Sequence, residues 1–234
     1  MSDQNISRIK VVHSVLGELA DQVVFVGGAT VSLYADRPAG ETRPTDDVDV
    51  LVELLNYKDY SALGKKLRAK GFLNDMESGI ICRYKVKGII VDIMPTEGNI
   101  LGFTNIWYPE GYSNSINKNL GDGYNVKIFQ SPYFIASKLE AFRNRGKNDG
   151  RMSSDFEDIV YVFNNRTTVW NEMEESSKDL KRYLYHHIRT LLKKDYFFEW
   201  ISAHLDFNEQ RRVNYIIGGL ENLISKSKPP RINR

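Results

Sequence analysis

The sequence has little cysteine and no long hydrophobic run. Each shortage limits the classes of protein to which the chain can belong. Its 234 residues include a single cysteine, Cys82, which excludes an internal disulfide and favours a reducing compartment. No apolar run approaches the roughly 20 residues that a membrane-spanning helix needs. The first residues carry neither the basic nor the hydrophobic region of a signal peptide. We therefore expect a cytoplasmic protein.

The sequence also has no internal repeat and no low-complexity segment. Its histidines show no metal-ligand spacing with cysteine, so no zinc site is predicted. Charge is nearly balanced overall, at +2, but the two halves differ. Residues 1–125 hold 13 basic and 16 acidic side chains, and residues 126–234 hold 19 and 14. An acidic half beside a basic half suits a metal-dependent enzyme that acts on a polyanion, although a difference of this size also arises by chance.

The spacing of apolar residues predicts an α+β protein with a domain boundary near residue 125. Helical spacing occurs at residues 6–19 and 57–67, and residues 80–85 and 88–94 form a predicted hairpin that turns near Lys87 and Gly88. Residues 100–130 are predicted to be loops and short edge strands. Four helices are expected in residues 126–234, at 132–142, 156–163, 180–191 and 213–224, the last weakened by Gly218 and Gly219. A basic tail is expected over 226–234.

Two short stretches carry the strongest chemical pattern. Residues 23–26 are a buried strand that ends at Gly27 and Gly28, where the backbone can approach a ligand closely. Asp47 and Asp49 open a second apolar strand, and strand alternation places them on one face. Two carboxylates this close repel each other unless a cation lies between them, and Mg²⁺ or Mn²⁺ fits oxygen ligands. The alternative is a solvated acidic turn before the strand.

Asp92 is the one charge in the apolar run of residues 89–94. A lone carboxylate is costly to bury without a partner. Two explanations are open: Asp92 completes a metal site with Asp47 and Asp49, or it pairs with a lysine or arginine that the sequence does not identify.

Four blocks in order resemble the nucleotidyltransferase superfamily. They are the strand ending in Gly27-Gly28, the pattern Arg43-x-Thr45-x-Asp47-x-Asp49, the helix with Lys138 followed by Arg145-Gly146-Lys147, and Asp155-x-x-Asp158. Their arrangement is similar to the AbiEii-type branch, the toxin component of type IV toxin–antitoxin systems. The likeness covers roughly residues 23–163.

The resemblance implies a mixed-sheet nucleotidyltransferase domain with flanking helices, followed by a helical domain. It implies transfer of a nucleoside monophosphate from an NTP to a hydroxyl, with RNA, at a tRNA 3′ end, as the leading acceptor and an antitoxin as a possible partner. Two rivals stay open: an antibiotic-modifying nucleotidyltransferase, and a non-catalytic protein of the same fold that binds a nucleotide or a partner.

The resemblance also implies roles for particular residues. Asp47, Asp49 and Asp92 would bind the metal, with Asp92 also accepting the proton of the attacking hydroxyl. Gly27, Gly28 and Thr45 would contact the nucleotide, and Thr30 would replace a serine hydroxyl that many members have. Lys138, on a helix facing the cleft and expected to be an exposed lysine, would neutralise the nucleotide phosphates. Asp155 would orient either Lys138 or the nucleotide. Many members have arginine where this chain has Ser154, and Arg151 is a candidate replacement.

Overall fold

The computed structural model describes residues 3–54, 56–102, 105–147 and 149–226. The chain divides into two compact units. Unit 1 comprises Met1–Tyr34 and Ala39–Ser137, and unit 2 comprises Ala35–Pro38 and Lys138–Arg234. Along the chain, a mixed sheet with N-terminal helices is followed by a largely helical region, which confirms the predicted α+β class.

Unit 1 is built on a seven-stranded mixed sheet with the order β3-β4-β5-β2-β1-β7-β6. In its middle, β2 pairs antiparallel with β1 and parallel with β5. The inner strands β1 and β2 are short, apolar and mostly buried, as strands covered on both faces are. The strands are β1 Val23–Val26, β2 Asp47–Val52, β3 Leu73–Asn74, β4 Arg83–Val86, β5 Ile89–Pro95, β6 Ile116–Asn119 and β7 Asn125–Ile128.

The predicted hairpin is present as β4 and β5. Its two turn residues, Lys87 and Gly88, both have positive φ, 48° and 78°, as the tight turns that match strand twist require. Pairing then runs outward from Val86 opposite Ile89 to Arg83 opposite Asp92. Strand β4 begins three residues later than the apolar pattern predicts.

Helices cover the sheet of unit 1. Helix α1 is Gln4–Leu16, and the Asp3 side chain caps it by accepting the backbone N–H of Asn5 at 2.8 Å. The segments Gly17–Gln22 and Gly28–Tyr34 are 3₁₀ helices. Three further helices are α2 Tyr57–Ala69, α3 Gly98–Leu101 and α4 Tyr108–Ser113. Strand β7 lies inside the sheet between β1 and β6, so only β6 matches the predicted edge strands.

The division between the units falls within helix α5, Ser131–Arg145. The other helices of unit 2 are α6 Ser154–Asn165, α7 Val169–Glu174, α8 Lys178–Leu191, α9 Phe197–Ser202 and α10 Arg212–Ser225. All four predicted helices are present, and the two short ones, α7 and α9, were not predicted. Edge-to-face aromatic contacts join Phe142, Phe156 and Trp200 in the core of unit 2.

Helix α10 continues through Gly218 and Gly219, where the sequence predicted a weakness. A Cβ at Gly219 would lie 2.6 Å from the Trp170 ring, so the missing side chain lets that ring pack against the helix. In the part of the chain that the structure describes, no helix has the length and apolar character needed to cross a membrane. Of the predicted basic tail, residues 227–234 lie outside the described residues.

Candidate metal and nucleotide site

The turn after β1 brings backbone and carboxylate together. Gly27 has φ +72°, a conformation that L side chains rarely adopt. A Cβ at Gly27 would lie only 1.9 Å from Oδ2 of Asp49, which is carried by the adjacent strand β2. Val26 pairs opposite Asp49, so the register of the two strands fixes this approach. Glycine is therefore needed here for both its conformation and its size.

Three carboxylates meet beside this turn, and we call Asp47, Asp49 and Asp92 the acidic cluster. Asp49 and Asp92 are direct partners on the parallel strands β2 and β5. One carboxylate oxygen from each of the three residues lies within 4.8 Å of the others. Asp47 and Asp49 are half-buried, and Asp92 is buried. The predicted shared face, and the joining of Asp92 from a neighbouring strand, are both confirmed.

Arg83 on β4 contacts two members of the acidic cluster. Its Nε donates to Oδ1 of Asp92 at 2.8 Å, and its Nη2 donates to Oδ2 of Asp92 at 2.7 Å. The same Nη2 donates to Oδ2 of Asp47 at 3.0 Å. The sequence left open a lysine or arginine partner for Asp92, and that partner is Arg83. A fork of two parallel bonds to one carboxylate is a strong, directional contact.

The electrostatics of the acidic cluster favour a cation. Burial raises the pKa of Asp47, the neighbouring charge of Asp92 raises it further, and Arg83 opposes both effects. The hydrogen bond to Asp92 raises the pKa of Arg83, so the guanidinium stays charged. Like charges at about 5 Å repel by roughly 3 kcal/mol at an effective dielectric constant of about 20. Carboxylate oxygens converging at this distance fit the ligand preference of Mg²⁺ and Mn²⁺.

Helix α1 holds the segment that leads into β2. The Asn5 side chain, 1% exposed, accepts the backbone N–H of Thr45 at 3.0 Å and donates to the carbonyl oxygen of Arg43 at 3.0 Å. Arg8 donates to the carbonyl oxygen of Thr45. The Thr45 hydroxyl donates to the carbonyl oxygen of Asp47 at 2.8 Å. Sequence analysis missed Asn5 and Arg8, because their partners lie 37 to 40 residues away.

Thr30 is fully buried, and its hydroxyl donates to the carbonyl oxygen of Gly27 at 2.9 Å. This bond stabilises the backbone of the turn at Gly27. The structure therefore gives Thr30 a different contact from the predicted replacement of a serine hydroxyl at the nucleotide. Gly28 begins the 3₁₀ helix that follows the turn and is buried.

A second charged cluster lies in unit 2 around Lys138. The Lys138 ammonium is 3.2 Å from Oδ1 of Asp155 and 2.7 Å from Oδ2 of Asp158. Lys138 is 7% exposed and both aspartates are 2% exposed. The expectation of an exposed Lys138 is therefore wrong, because its helix position faces two carboxylates of α6. The predicted contact between Asp155 and Lys138 is present.

Arg145 is the exposed cation of this second cluster. Its Nε and Nη2 donate to the two oxygens of Asp155 at 2.6 and 2.7 Å, while 69% of its side chain is exposed. Burial alone raises the pKa of Asp155, but Arg145 and Lys138 outweigh it and hold that pKa below its usual range. A cavity of about 530 Å³ opens here, lined by Arg145, Lys147, Ser154 and Asp155 among others.

The segment 143–151 contains four basic side chains, Arg143, Arg145, Lys147 and Arg151, and is less cationic than its sequence indicates. Arg151, the candidate replacement for the missing arginine, pairs with Asp149 at 2.5 Å, and Arg143 pairs with Glu140 at 3.0 Å. With Arg145 tied to Asp155, three of the four basic side chains have carboxylate partners.

A groove along α8 is more strongly basic, and we call it the basic groove. It has a volume of about 630 Å³ and is lined by Glu174, Ser176, Lys178, Lys181, Arg182, Tyr185 and Lys226. Four cations face one carboxylate. Arg182 pairs with Asp179 and Lys226 with Glu174, whereas Lys178 and Lys181 form no ion pair with any residue that the structure describes.

No protein-family model matches the sequence, and no curated protein matches it significantly. The resemblance to nucleotidyltransferases therefore depends on the sequence blocks alone.

Proposed function

We propose that the protein is a metal-dependent nucleotidyltransferase that moves a nucleoside monophosphate from an NTP to an RNA hydroxyl. The hydroxyl oxygen bonds to the α-phosphorus, the bond between the α- and β-phosphates breaks, and pyrophosphate leaves. Within this class we propose the AbiEii-type activity: a toxin that acts on the 3′ end of tRNA and is controlled by a cognate antitoxin. The observation that carries the proposal is the acidic cluster on β2 and β5 beside the Gly27 turn.

Asp47 and Asp49 would hold a divalent cation, and Asp92 would complete its ligand set. Each carboxylate oxygen has two lone pairs, so Asp92 can accept from Arg83 and still offer an acceptor toward the cluster. Bound Mg²⁺ would neutralise the triphosphate and lower the pKa of the attacking hydroxyl. Asp92 is our candidate to accept that hydroxyl's proton.

Gly27 and Gly28 would contact the triphosphate through the backbone. A turn without Cβ atoms allows a phosphate to approach main-chain N–H groups closely. The contacts of Asn5, Arg8 and Thr45 would act indirectly, since they fix the backbone that leads into Asp47. Lys138, the predicted phosphate contact, is buried in unit 2, and Arg145 is the exposed cation of its cluster.

The basic groove supports a polyanionic acceptor. Lys178 and Lys181 would contact successive backbone phosphates, and contacts of this kind make binding fall steeply with salt. A cationic aminoglycoside would be repelled by the same side chains, which weighs against the antibiotic-modifying alternative. Tyr185 in the groove offers a ring for base stacking.

A labelling assay tests the proposal. Total cellular RNA is incubated with the protein, Mg²⁺ and each α-labelled NTP in turn. We expect label in the tRNA band from at least one NTP, and none with Asp49→Asn. The double variant Lys178→Glu, Lys181→Glu should label RNA at least tenfold less at low salt, because two phosphate contacts are lost.

The matched control is Lys58→Glu, Lys65→Glu, which makes the same charge change on exposed positions of α2. This variant should label RNA like the wild type. Label on a small molecule or a protein, with none on RNA, would overturn the acceptor. Absence of label on every acceptor, with every NTP, would overturn the transferase activity itself.

A further inference from the structure

The arginine in the acidic cluster is not explained by the proposed transfer reaction. Arg83 faces Asp92 because the two are direct partners in the β4–β5 hairpin, whose register is set by the turn at Lys87 and Gly88. The guanidinium forms a fork on Asp92 with bonds of 2.8 and 2.7 Å. A third bond, from Nη2 to Asp47, is the longest at 3.0 Å.

These contacts change the charge of the acidic cluster. The three carboxylates, when ionised, carry a total formal charge of −3. With the positive charge of Arg83, the total becomes −2. The Arg83 side chain is 20% exposed, so water screens this charge only in part. The contact to Asp47 also occupies Oδ2, an oxygen of one of the two main predicted metal ligands.

We infer that Arg83 is the resident counter-ion of the acidic cluster and that it opposes divalent metal binding there. The inference rests on the proposed function, because it assumes that Asp47 and Asp49 are metal ligands. A divalent cation and the guanidinium repel each other, and both need the oxygens of Asp47. Arg83 therefore releases Asp47 when the metal binds, while the two-bond fork keeps Asp92 in place on β5.

Arg83 is thus a positioning residue with two opposing effects. It stabilises the protein without metal by relieving repulsion among the carboxylates, and it weakens the metal affinity of the same carboxylates. A purely structural arginine would have only the first effect. The direction of the change in metal affinity separates the two roles.

The test measures Mn²⁺ binding by the electron paramagnetic resonance signal of the free ion, together with thermal unfolding in chelator. For Arg83→Gln we expect a lower melting temperature without metal and a Kd for Mn²⁺ at least tenfold lower than that of the wild type. Arg83→Lys keeps the charge but not the planar fork, so its Kd should stay within about threefold of the wild-type value.

The matched control is Lys85→Gln, which removes one positive charge two residues away on the same strand, where Lys85 pairs with Asp75. Its Kd for Mn²⁺ should equal that of the wild type. A wild type that binds Mn²⁺ and an Arg83→Gln protein that binds it equally or more weakly would overturn this inference alone. No Mn²⁺ binding by either protein would overturn the metal site and this inference together.

If Arg83→Gln is unfolded in chelator, melting is measured across a Mn²⁺ titration instead. Recovery of the folded protein at Mn²⁺ concentrations below the wild-type Kd supports the inference. Failure to recover at any Mn²⁺ concentration makes Arg83 structural and contradicts it.

Discussion

Lys138 and Arg145 both contact Asp155 at the start of α6, and Lys138 also contacts Asp158. Lys138, Asp155 and Asp158 are each more than nine-tenths buried. Removing one member of a buried ion pair leaves an uncompensated charge, and the cost is about 3–5 kcal/mol. Loss of Lys138 alone should therefore destabilise the packing of α5 against α6.

We predict that Lys138→Ala lowers the free energy of unfolding by about 3 kcal/mol. Urea denaturation followed by tryptophan fluorescence measures the change, since Trp200 lies in the core of the same unit. Lys178→Ala, at an exposed position of α8, is the control and should stay within about 0.5 kcal/mol of the wild type. A Lys138→Ala protein as stable as the control would contradict the stabilising role.

The same pairing has a defined pH dependence. The folded-state pKa of Asp155 lies below its usual value, so its contribution to stability is present above the unfolded pKa of about 3.9 and is lost as the pH falls through the folded value. The difference in stability between the wild type and Lys138→Ala should shrink over that acidic range.

The sequence reveals a site residue when its contact is local, and it misses one whose partner is far away along the chain. Asp47 and Asp49 follow from strand alternation alone. Arg83 was also within reach, because counting outward from the turn at Lys87 and Gly88 places it opposite Asp92. Asn5 had no local signal, since it binds a segment nearly 40 residues later.

The helix pattern could also have predicted the burial of Lys138. It lies three residues after Ile135 and four before Phe142, on the apolar stripe of α5. A charged residue on that stripe requires a buried partner, and Asp155 and Asp158 supply it. Treating lysine as solvated by default led to the wrong expectation.

At the scale of elements, α10 depends on glycine at one position and tolerates it at the next. Gly218 and Gly219 are both inside the helix. A Cβ at Gly219 would lie 2.6 Å from the Trp170 ring, whereas a Cβ at Gly218 would have no neighbour within 4 Å. The two positions therefore separate helix propensity from packing.

We predict that Gly218→Ala raises the free energy of unfolding by about 0.5–1 kcal/mol, the usual gain of alanine over glycine in a helix. Gly219→Ala should instead lower it by about 1–3 kcal/mol, because the Trp170 ring must move. Urea denaturation of both variants gives the comparison. Equal effects of the two substitutions would show that Trp170 does not pack on α10 as described.

Long, strongly periodic elements were predictable, and short ones were not. Helices α1, α2, α5, α6, α8 and α10 carry enough apolar repeats to be seen in the sequence. Helices α7 and α9 have six residues each, too few for a period to be recognised. The 3₁₀ geometry of Gly28–Tyr34 depends on tertiary contacts such as the bond from Thr30 to Gly27, which composition does not encode.

At the scale of the whole molecule, the sequence predicts the α+β class and the fold provides the acidic cluster. The order of the sheet places β5 beside β2 although 36 residues separate the two strands, and no local pattern specifies that neighbour. The proposed activity assigns a cation to the acidic cluster and a triphosphate to the Gly27 turn. Both ligands should therefore bind together and stabilise the folded chain.

The most direct test of this account is thermal unfolding with Mg²⁺ and an NTP, added singly and together. We predict that the pair raises the melting temperature of the wild type by several degrees, since a ligand at one hundred times its Kd adds about 2.7 kcal/mol. Asp49→Asn should lose this gain, while Asp46→Asn, which removes an exposed neighbouring charge outside the acidic cluster, should keep it. No gain in the wild type with any NTP, or an undiminished gain in Asp49→Asn, would contradict the account.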